Sequence, residues 1–154
     1  MRSGMKINIR MACETEAEKL SEISFAAKKH WDYPESFFEQ WNDALIISPE
    51  FIASNNVWVA VHNNEIFGFA AISTKETIAE LEHMWVIPKH MKKGVGKHLM
   101  NTVIEYCKDV GMTCLRIESD PNARVFYEKM GASLEGYVES KPNPRKLPVL
   151  KLEL

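Results

Sequence analysis

The sequence predicts a mixed α/β (α+β) fold, with a central sheet of about six to seven strands, a parallel pair at its centre and about four flanking helices. Strand-like and helix-like patterns alternate along the chain, which is the first of three supporting observations. The second is a helical stretch between strands at 77–86 and 113–118, because a strand that returns through a helix lies parallel to its predecessor. The third is an antiparallel hairpin, predicted where Asn63 and Asn64 join two apolar runs.

Length and charge restrict the class of protein. The chain has 154 residues, 45% of them apolar, which suits one domain over 5–154, while residues 1–4 are interpreted as an expression scar or a disordered lead. Lys and Arg number 19 against 21 Asp and Glu, a formal net charge of −2. Such a chain lacks the long-range field that attracts a phosphate backbone or an anionic membrane. We therefore expect neither nucleic acid nor membrane as a partner.

The three cysteines indicate a reducing environment. Cys13, Cys107 and Cys114 are odd in number and show no zinc-like spacing, so we expect buried free thiols and no metal site. No apolar run approaches the roughly 20 residues that cross a bilayer, and the apolar core of a signal peptide is missing at the N-terminus. These features predict a soluble cytoplasmic protein.

The chain begins with a strand and a long helix. Residues 6–11 alternate polar and apolar side chains, which is typical of a strand. Thr15 and Glu18 predict a capping box that opens a helix to about His30. The side chains expected on its buried face are Leu20, Ile23, Ser24 and Ala27.

The remaining elements complete the alternation. Two shorter helices are predicted, one from near Pro34 and one after Ser48 as N-cap and Pro49 in the first turn. Gly111 and Gly131 are expected to end later helices. The elements follow in the order strand 56–62, strand 65–73, strand 77–86, helix 94–110, strand 113–118, helix 122–130, strand 132–138 and strand 148–153.

Residues 81–97 predict an anion-binding site, since a strand leads through a basic turn into two glycines at a helix start. The first N–H groups of a helix have no partner within it and carry the positive end of its dipole, so a phosphate there gains hydrogen bonds and field. Gly94 and Gly96 let the backbone approach closely. Positive charge is supplied nearby by Lys92, Lys93 and Lys97.

Two nucleotide-binding motifs do not match this spacing. A P-loop needs four residues between its glycines and Ser or Thr after the lysine, whereas one residue separates Gly94 from Gly96 and His98 follows Lys97. A dinucleotide fingerprint needs a third glycine where Leu99 stands. Neither ATP nor NAD is therefore the expected ligand.

The stretch resembles the acetyl-CoA signature of the GNAT superfamily, Arg/Gln-x-x-Gly-x-Gly/Ala after an aromatic-Val-x-Pro. Here it reads Met91-Lys92-Lys93-Gly94-Val95-Gly96 after Trp85-Val86-Ile87-Pro88. Residues 120–132, DPNARVFYEKMGA, resemble the family's Asn-x-x-Ala-x-x-x-Tyr-Glu-x-x-Gly-Phe block. Met91 departs from the family's usual Arg or Gln, and we expect this to weaken or redirect one contact.

The resemblance implies an acetyl-CoA-dependent N-acetyltransferase. An interrupted apolar period after Leu81 predicts a β-bulge. In the family, such a bulge opens a slot for the pantetheine arm of the co-substrate. The residues implied to contact acetyl-CoA are Met84, Trp85, Val86, Met91, Lys92, Lys93, Gly94, Val95, Gly96, Lys97, Asn122 and Tyr127.

The resemblance also implies catalytic roles for two side chains. Glu82 matches the position of the family's general base, with His83 or water as the alternative, and an exposed strand carboxylate as the structural alternative. Tyr127 matches the general acid that protonates the leaving thiolate. At neutral pH a tyrosine with a pKa of about 10 holds the proton that a thiolate with a pKa of about 8.5 can take up.

The acceptor is predicted to be a primary amine of a small molecule or peptide, acetylated by direct attack in a ternary complex. His30, Trp31 and Tyr33 are the candidate acceptor-binding residues, because aromatic rings can embrace a cationic amine. Packing between helices is the alternative for Trp31 and Tyr33, and it is the role assigned to Trp41. A homodimer through the last strand is a further expectation. The alternative function is a catalytically silent acyl-CoA-binding module.

Overall fold

The computed structural model describes residues 6–154, so the predictions made for residues 1–5 lie outside the described part of the chain. Its sheet has seven strands in the order β1-β2-β3-β4-β5-β7-β6. The strands are β1 (Asn8–Met11), β2 (Asn56–His62), β3 (Glu65–Lys75), β4 (Ile78–Val86), β5 (Cys114–Glu118), β6 (Ser133–Glu139) and β7 (Lys146–Glu153). The helices are α1 (Ala17–Lys29), α2 (Glu35–Leu45), α3 (Pro49–Ser54), α4 (Val95–Asp109) and α5 (Arg124–Lys129).

The strand pairing confirms the predicted mixed sheet. Strands β1 to β4 pair antiparallel in sequence order, and β5 pairs antiparallel with β7, which pairs antiparallel with β6. Between these two halves, β4 and β5 are parallel and are connected through α4. Asn63 and Asn64 adopt the expected positive φ values of 50° and 63° at the β2–β3 turn. The described chain contains five α-helices where about four were expected.

The sheet separates two apolar cores. On one face, α4 packs Leu99, Met100 and Val103 against the strands, together with Tyr127 of α5. On the other, α1 buries Leu20 and Ile23 with β2 and β3 side chains. The predicted buried face of α1 is confirmed for Leu20, Ile23, Ser24 and Ala27. No helix of residues 6–154 is long and apolar enough to cross a membrane.

The start of the first helix differs from the prediction. A 3-10 turn (Glu14–Glu16) precedes α1, and the Glu16 carboxylate accepts a hydrogen bond from the Cys13 N–H at 2.8 Å. Arg10 of β1 holds the same carboxylate at 2.7 Å. The Glu16 side chain therefore caps the backbone N–H of Cys13 before the helix, and the capping box predicted for Thr15 and Glu18 is wrong.

Two further predictions are corrected by burial and topology. Cys13 is exposed because it lies in the turn before the helix, whereas Cys107 and Cys114 are buried as expected. Strand β7 is hydrogen-bonded on both sides, by β5 and β6, so it offers no edge to a second copy. Within residues 6–154, the edges of the sheet are β1 and β6, and a strand-paired dimer would have to use one of them.

Candidate active site

Strands β4 and β5 separate at the predicted bulge, and we call the gap between them beyond Leu81 the fork. Ala71 of β3 pairs with His83 and Ile72 pairs with Leu81, so Glu82 is the extra residue on β4. The β4–β5 ladder begins at Ile78 and ends at Leu81, while β4 continues to Val86. The bulge expected after Leu81 is therefore confirmed, and β4 and β5 part directly beside it.

Backbone direction decides which groups of β4 face the fork. The Ile87 N–H donates to the Phe67 carbonyl of β3 at 2.8 Å. The Trp85 carbonyl also lies toward β3, where a Cβ on Gly68 would approach it to 2.6 Å. Because backbone groups alternate along a strand, the N–H and C=O groups of Met84 and Val86 point the other way, into the fork. Gly68 was not singled out in the sequence.

The turn after β4 exposes unpaired backbone donors. Gly94 is the N-cap of α4, with a φ of +86°, and Lys92 has a φ of +64°. The first backbone bond of α4 runs from the His98 N–H to the Gly94 carbonyl at 3.0 Å. The N–H groups before His98 consequently precede the hydrogen-bonded part of the helix and are available to an anion. Lys92, Lys93 and Lys97 are all exposed around this helix start.

The residues next to the glycine turn pack it against the rest of the domain. A Cβ at Gly96 would lie 3.3 Å from the Phe126 ring, so the absence of a side chain here lets α5 pack close to the start of α4. Val95 is buried beneath the turn. Met91 is half-buried and extended, and its N–H donates to the Pro88 carbonyl at 3.2 Å. Its thioether supplies no charge to the turn.

Tyr127 lies on the α4 face of the fork and is 5% exposed. Its ring contacts Phe126 edge to face at 5.2 Å. Burial raises the pKa of Tyr127 above its ordinary value, and the negative charge of Asp120 raises it further. The hydroxyl is therefore protonated at neutral pH and can act as a donor.

Glu82 and His83 both leave β4 toward the α1 face. The Glu82 carboxylate is exposed and accepts a hydrogen bond from Ser73 Oγ at 2.6 Å. His83 is packed between Phe51 and Phe69, and burial lowers its pKa to about 4. Its Nδ1 lies 3.0 Å from the Trp85 indole nitrogen, which donates to it. That ring nitrogen of His83 is therefore already occupied.

A buried polar cluster lies across the fork, and only Tyr33 and Asn122 among its members were predicted as site residues. Lys28 of α1 forms an ion pair with Asp120 at 2.5 Å, with side chains only 9% and 12% exposed. The Tyr33 hydroxyl donates to Asp120 at 3.0 Å and accepts from Asn122 and from Arg145, each at 3.1 Å. We call Lys28, Tyr33, Asp120, Asn122 and Arg145 the polar cluster.

The polar cluster gives Asp120 a charged state. Burial alone would raise the pKa of Asp120, but Lys28 and the hydrogen bonds from Asn122 and Tyr33 lower it below its ordinary value. Burial lowers the pKa of Lys28, and the ion pair with Asp120 opposes that change. Asn122 donates twice to Asp120, through its N–H at 2.8 Å and its side-chain amide at 2.9 Å.

The aromatic rings beside this cluster are already occupied by cations of the chain itself. Lys28 Nζ lies 4.4 Å from the centre of the Trp41 ring, 5.0 Å from that of Tyr33 and 5.9 Å from that of Trp85. The Arg145 guanidinium lies 4.9 Å from the Trp41 ring and 5.2 Å from Tyr33. Trp41 is buried, in agreement with the packing role predicted for it, and its indole donates to the Lys141 carbonyl at 2.7 Å.

The three acceptor-binding candidates occupy different surroundings. Tyr33 lies in the polar cluster, while His30 and Trp31 lie outside it and are exposed. The His30 and Trp31 rings contact each other edge to face at 4.7 Å. The sequence could have indicated Asp120, because it opens the block at 120–132, but Lys28 and Arg145 carry no local motif. Residues 6–154 contain no group of three or more side chains suited to a metal ion.

Sequence comparison identifies the family. The model of the acetyltransferase (GNAT) family matches residues 18–132. A ribosomal protein bS18-alanine N-acetyltransferase from Haemophilus influenzae is 34% identical over 73 residues. The aligned segment covers 46% of this chain and spans half of that protein.

Solved structures share the fold. The PaiA N-acetyltransferase from Thermoplasma acidophilum, solved in complex with coenzyme A, superposes with a TM-score of 0.80 at 20% identity, over 97% of this chain and 100% of that one. The ribosomal-protein-S18-alanine N-acetyltransferase from Escherichia coli superposes with a TM-score of 0.73 at 16% identity, over 96% and 94% of the two chains. With the family model spanning most of the chain, the fork and the glycine turn have a common explanation: this protein belongs to the acetyltransferase (GNAT) family.

Proposed function

We propose that the protein is an acetyl-CoA-dependent N-acetyltransferase that acetylates a primary amine of a small molecule or peptide by direct attack in a ternary complex. One observation carries the proposal: β4 parts from β5 at Leu81 and then leads directly into the unpaired N–H groups at the start of α4. A diphosphate joined to an extended thiol-bearing arm has the charge and shape for these two adjoining features.

The co-substrate acetyl-CoA would be held mainly by backbone groups. The N–H groups that follow Gly94 suit its diphosphate, with counter-charge from Lys92 and Lys93. The amide groups of its pantetheine arm can pair with the backbone of Met84 and Val86 in the fork. Since these contacts use the main chain, Met91 in place of Arg or Gln is compatible with binding.

The amine must lose a proton before it can attack. An alkylamine with a pKa of about 10.4 is almost fully protonated at neutral pH, so a base or a base-linked water has to take its proton. Glu82 is exposed at the mouth of the fork and fits this role. His83 is less suited to it, because its pKa is about 4 and its Nδ1 accepts from Trp85.

The departing thiolate needs a proton, and Tyr127 is the proposed donor. The pKa of Tyr127 is raised by burial and by Asp120, so its hydroxyl stays protonated before the thioester is cleaved. At neutral pH the departing thiolate, whose thiol has a reference pKa of about 8.5, takes up this proton, and Tyr127 regains its own from solvent. A backbone N–H of Met84 or Val86 would stabilise the negative charge on the thioester oxygen, a contribution of about 2.7 to 4 kcal/mol in other enzymes.

We place this reaction in the cytoplasm, since buried free thiols such as Cys107 and Cys114 suit a reducing compartment. Burial raises the pKa of the Cys107 thiol to about 11, which keeps it unreactive.

Free-thiol release from acetyl-CoA, measured against a panel of amines, tests the proposal. Glu82→Gln should lower kcat by about 100-fold or more if Glu82 is the base, with little change in acetyl-CoA affinity. Glu39→Gln is the control, because Glu39 is an exposed carboxylate on α2. Acetyl-CoA binding without thiol release on any amine would instead favour a silent acyl-CoA-binding module.

A further inference from the structure

The polar cluster carries an uncompensated positive charge. Lys28 and Arg145 are two cations, and Asp120 is the carboxylate that both approach, at 2.5 Å and 3.5 Å. Asp120 is already satisfied, because it also accepts from Tyr33 and Asn122. One positive charge therefore remains beside the fork in a largely buried setting, where an anion would be attracted strongly.

The Arg145 guanidinium has N–H donors that are not used within the polar cluster. Its Nη2 donates to the Tyr33 hydroxyl at 3.1 Å and lies 3.5 Å from Asp120, while its side chain is 14% exposed. Within residues 6–154, Nε and Nη1 have no hydrogen-bond partner, and neither is among the buried unpaired atoms. These N–H groups are consequently not completely shut off from solvent, on an arginine that two aromatic rings hold in place.

The same contacts argue against a cationic acceptor group at the rings. Tyr33 and Trp41 already contact both Lys28 and Arg145, so a substrate ammonium there would meet two positive charges. The cation–π interaction expected from the sequence is therefore made by the chain itself.

From these observations we infer the acceptor class, an inference that rests on the proposed function. We propose that Arg145, supported by Lys28, binds a carboxylate of the acceptor, so that the substrate is a small amine that also carries a free carboxylate, such as an amino acid. A single carboxylate matches the one uncompensated positive charge, whereas a phosphate monoester carries about −1.5 to −2. The planar guanidinium is suited to carboxylate recognition.

The location of the polar cluster agrees with this role. Lys28 lies 5.9 Å from the centre of the Trp85 ring on β4, and Asp120 follows the end of β5. The polar cluster therefore connects the two strands that border the fork, on the α1 side. Tyr127 lies on the α4 side, close enough for the charge of Asp120 to raise its pKa. A carboxylate held at Arg145 would thus keep the attached amine beside the mouth of the fork.

Matched acceptors provide the test. L-amino acids and their carboxamides would be compared by kcat/KM in the thiol-release assay, with wild type, Arg145→Gln and Arg145→Lys. Wild type should prefer the free acid by about tenfold or more, which corresponds to one charge-assisted hydrogen bond. The preference should fall to near unity in Arg145→Gln and be partly kept in Arg145→Lys. Removal of the carboxylate lowers the amine pKa, so amine ionisation alone would favour the carboxamide.

Arg10→Gln is the matched control, because Arg10 forms a salt bridge with Glu16 at the far edge of the sheet. It should keep the acid preference of wild type. Thermal unfolding and acetyl-CoA binding of Arg145→Gln would show whether the variant remains folded. Equal or better turnover of the carboxamides by wild type would overturn the inference and point to a peptide N-terminus.

A second readout separates this inference from the proposed function. N-acetyl amino acids and their carboxamides would be titrated calorimetrically into the protein with coenzyme A present. Tighter binding of the acid by wild type and not by Arg145→Gln would support the carboxylate site even if no amine is acetylated. Equal binding of acid and amide would reject the site, while acetyl transfer to another amine would leave the proposed function standing.

Discussion

Lys28 of α1 and Asp120 beyond β5 form a buried ion pair although 92 positions separate them in the sequence. The pair joins the helix that covers one face of the sheet to the end of the strand that borders the fork. Tyr33, Asn122 and Arg145 then complete the set of hydrogen bonds around the carboxylate. The acceptor side of the fork is thus built from distant segments of the chain.

We predict that Lys28→Met destabilises the protein by ~3 kcal/mol, because removal of one partner of a buried pair leaves the other charge uncompensated. Lys19→Met is the control, since Lys19 and Glu22 form an exposed pair at 3.9 Å. Chemical denaturation would measure both variants. The double variant with Asp120→Asn should lose less stability than the sum of the two single losses, and strict additivity would contradict the coupling.

Gly94→Ala is predicted to weaken acetyl-CoA binding by about tenfold or more, because a methyl group at the N-cap strains the left-handed backbone and obstructs the anion. Gly111→Ala is a close control: Gly111 has the same φ of +86° and the same open space around its Cβ position, but lies at the other end of α4. Both variants should lose about 1 to 2 kcal/mol of stability. Calorimetry should show weaker binding in Gly94→Ala alone.

Tyr127→Phe should lower kcat by about 100-fold or more while acetyl-CoA affinity changes little, because it removes the proposed proton donor and keeps the ring. Tyr106→Phe is the control, since Tyr106 lies on α4 and its ring contacts Trp58 at 5.2 Å. Thiol release under saturating acetyl-CoA would measure both. Unchanged turnover in Tyr127→Phe would show that water or another group protonates the thiolate.

We predict that the buried His83 makes the folded protein less stable at acidic pH. Its pKa falls from an ordinary value of about 6.5 to about 4 in the fold, so the unfolded chain binds a proton in this range that the folded chain does not. The stability contributed by neutral His83 is present above pH 6.5 and lost as the pH falls toward 4, by ~3 kcal/mol in total.

The measurement is the free energy of unfolding between pH 4 and 7. His83→Gln, which keeps an acceptor for the Trp85 indole, should flatten the slope relative to wild type. His98→Gln is the control because His98 is exposed on α4, and it should keep the wild-type slope. A slope unchanged by His83→Gln would exclude His83 as its source.

Local sequence signals predicted most of the donor side. The two glycines before α4 and the broken apolar period after Leu81 describe features made by neighbouring residues, namely the turn and the bulge. The capping box was predicted at the wrong residues because Glu16, in the turn before α1, forms a salt bridge with Arg10 of β1. The position of β7 could not be read from its own pattern, since pairing on one or both sides depends on where β6 folds back.

By itself, the sequence determined the order of helices and strands, the parallel crossover and the turn for an anion, since each depends on local periodicity, glycine conformation and helix-end chemistry. Only the tertiary structure decided the acceptor side. Lys28, Asp120 and Arg145 lie on three separate segments with no common motif, and their charges acquire a meaning only where folding buries them together. Burial there turns ordinary charges into a directed site, because electrostatic interactions strengthen as water is excluded.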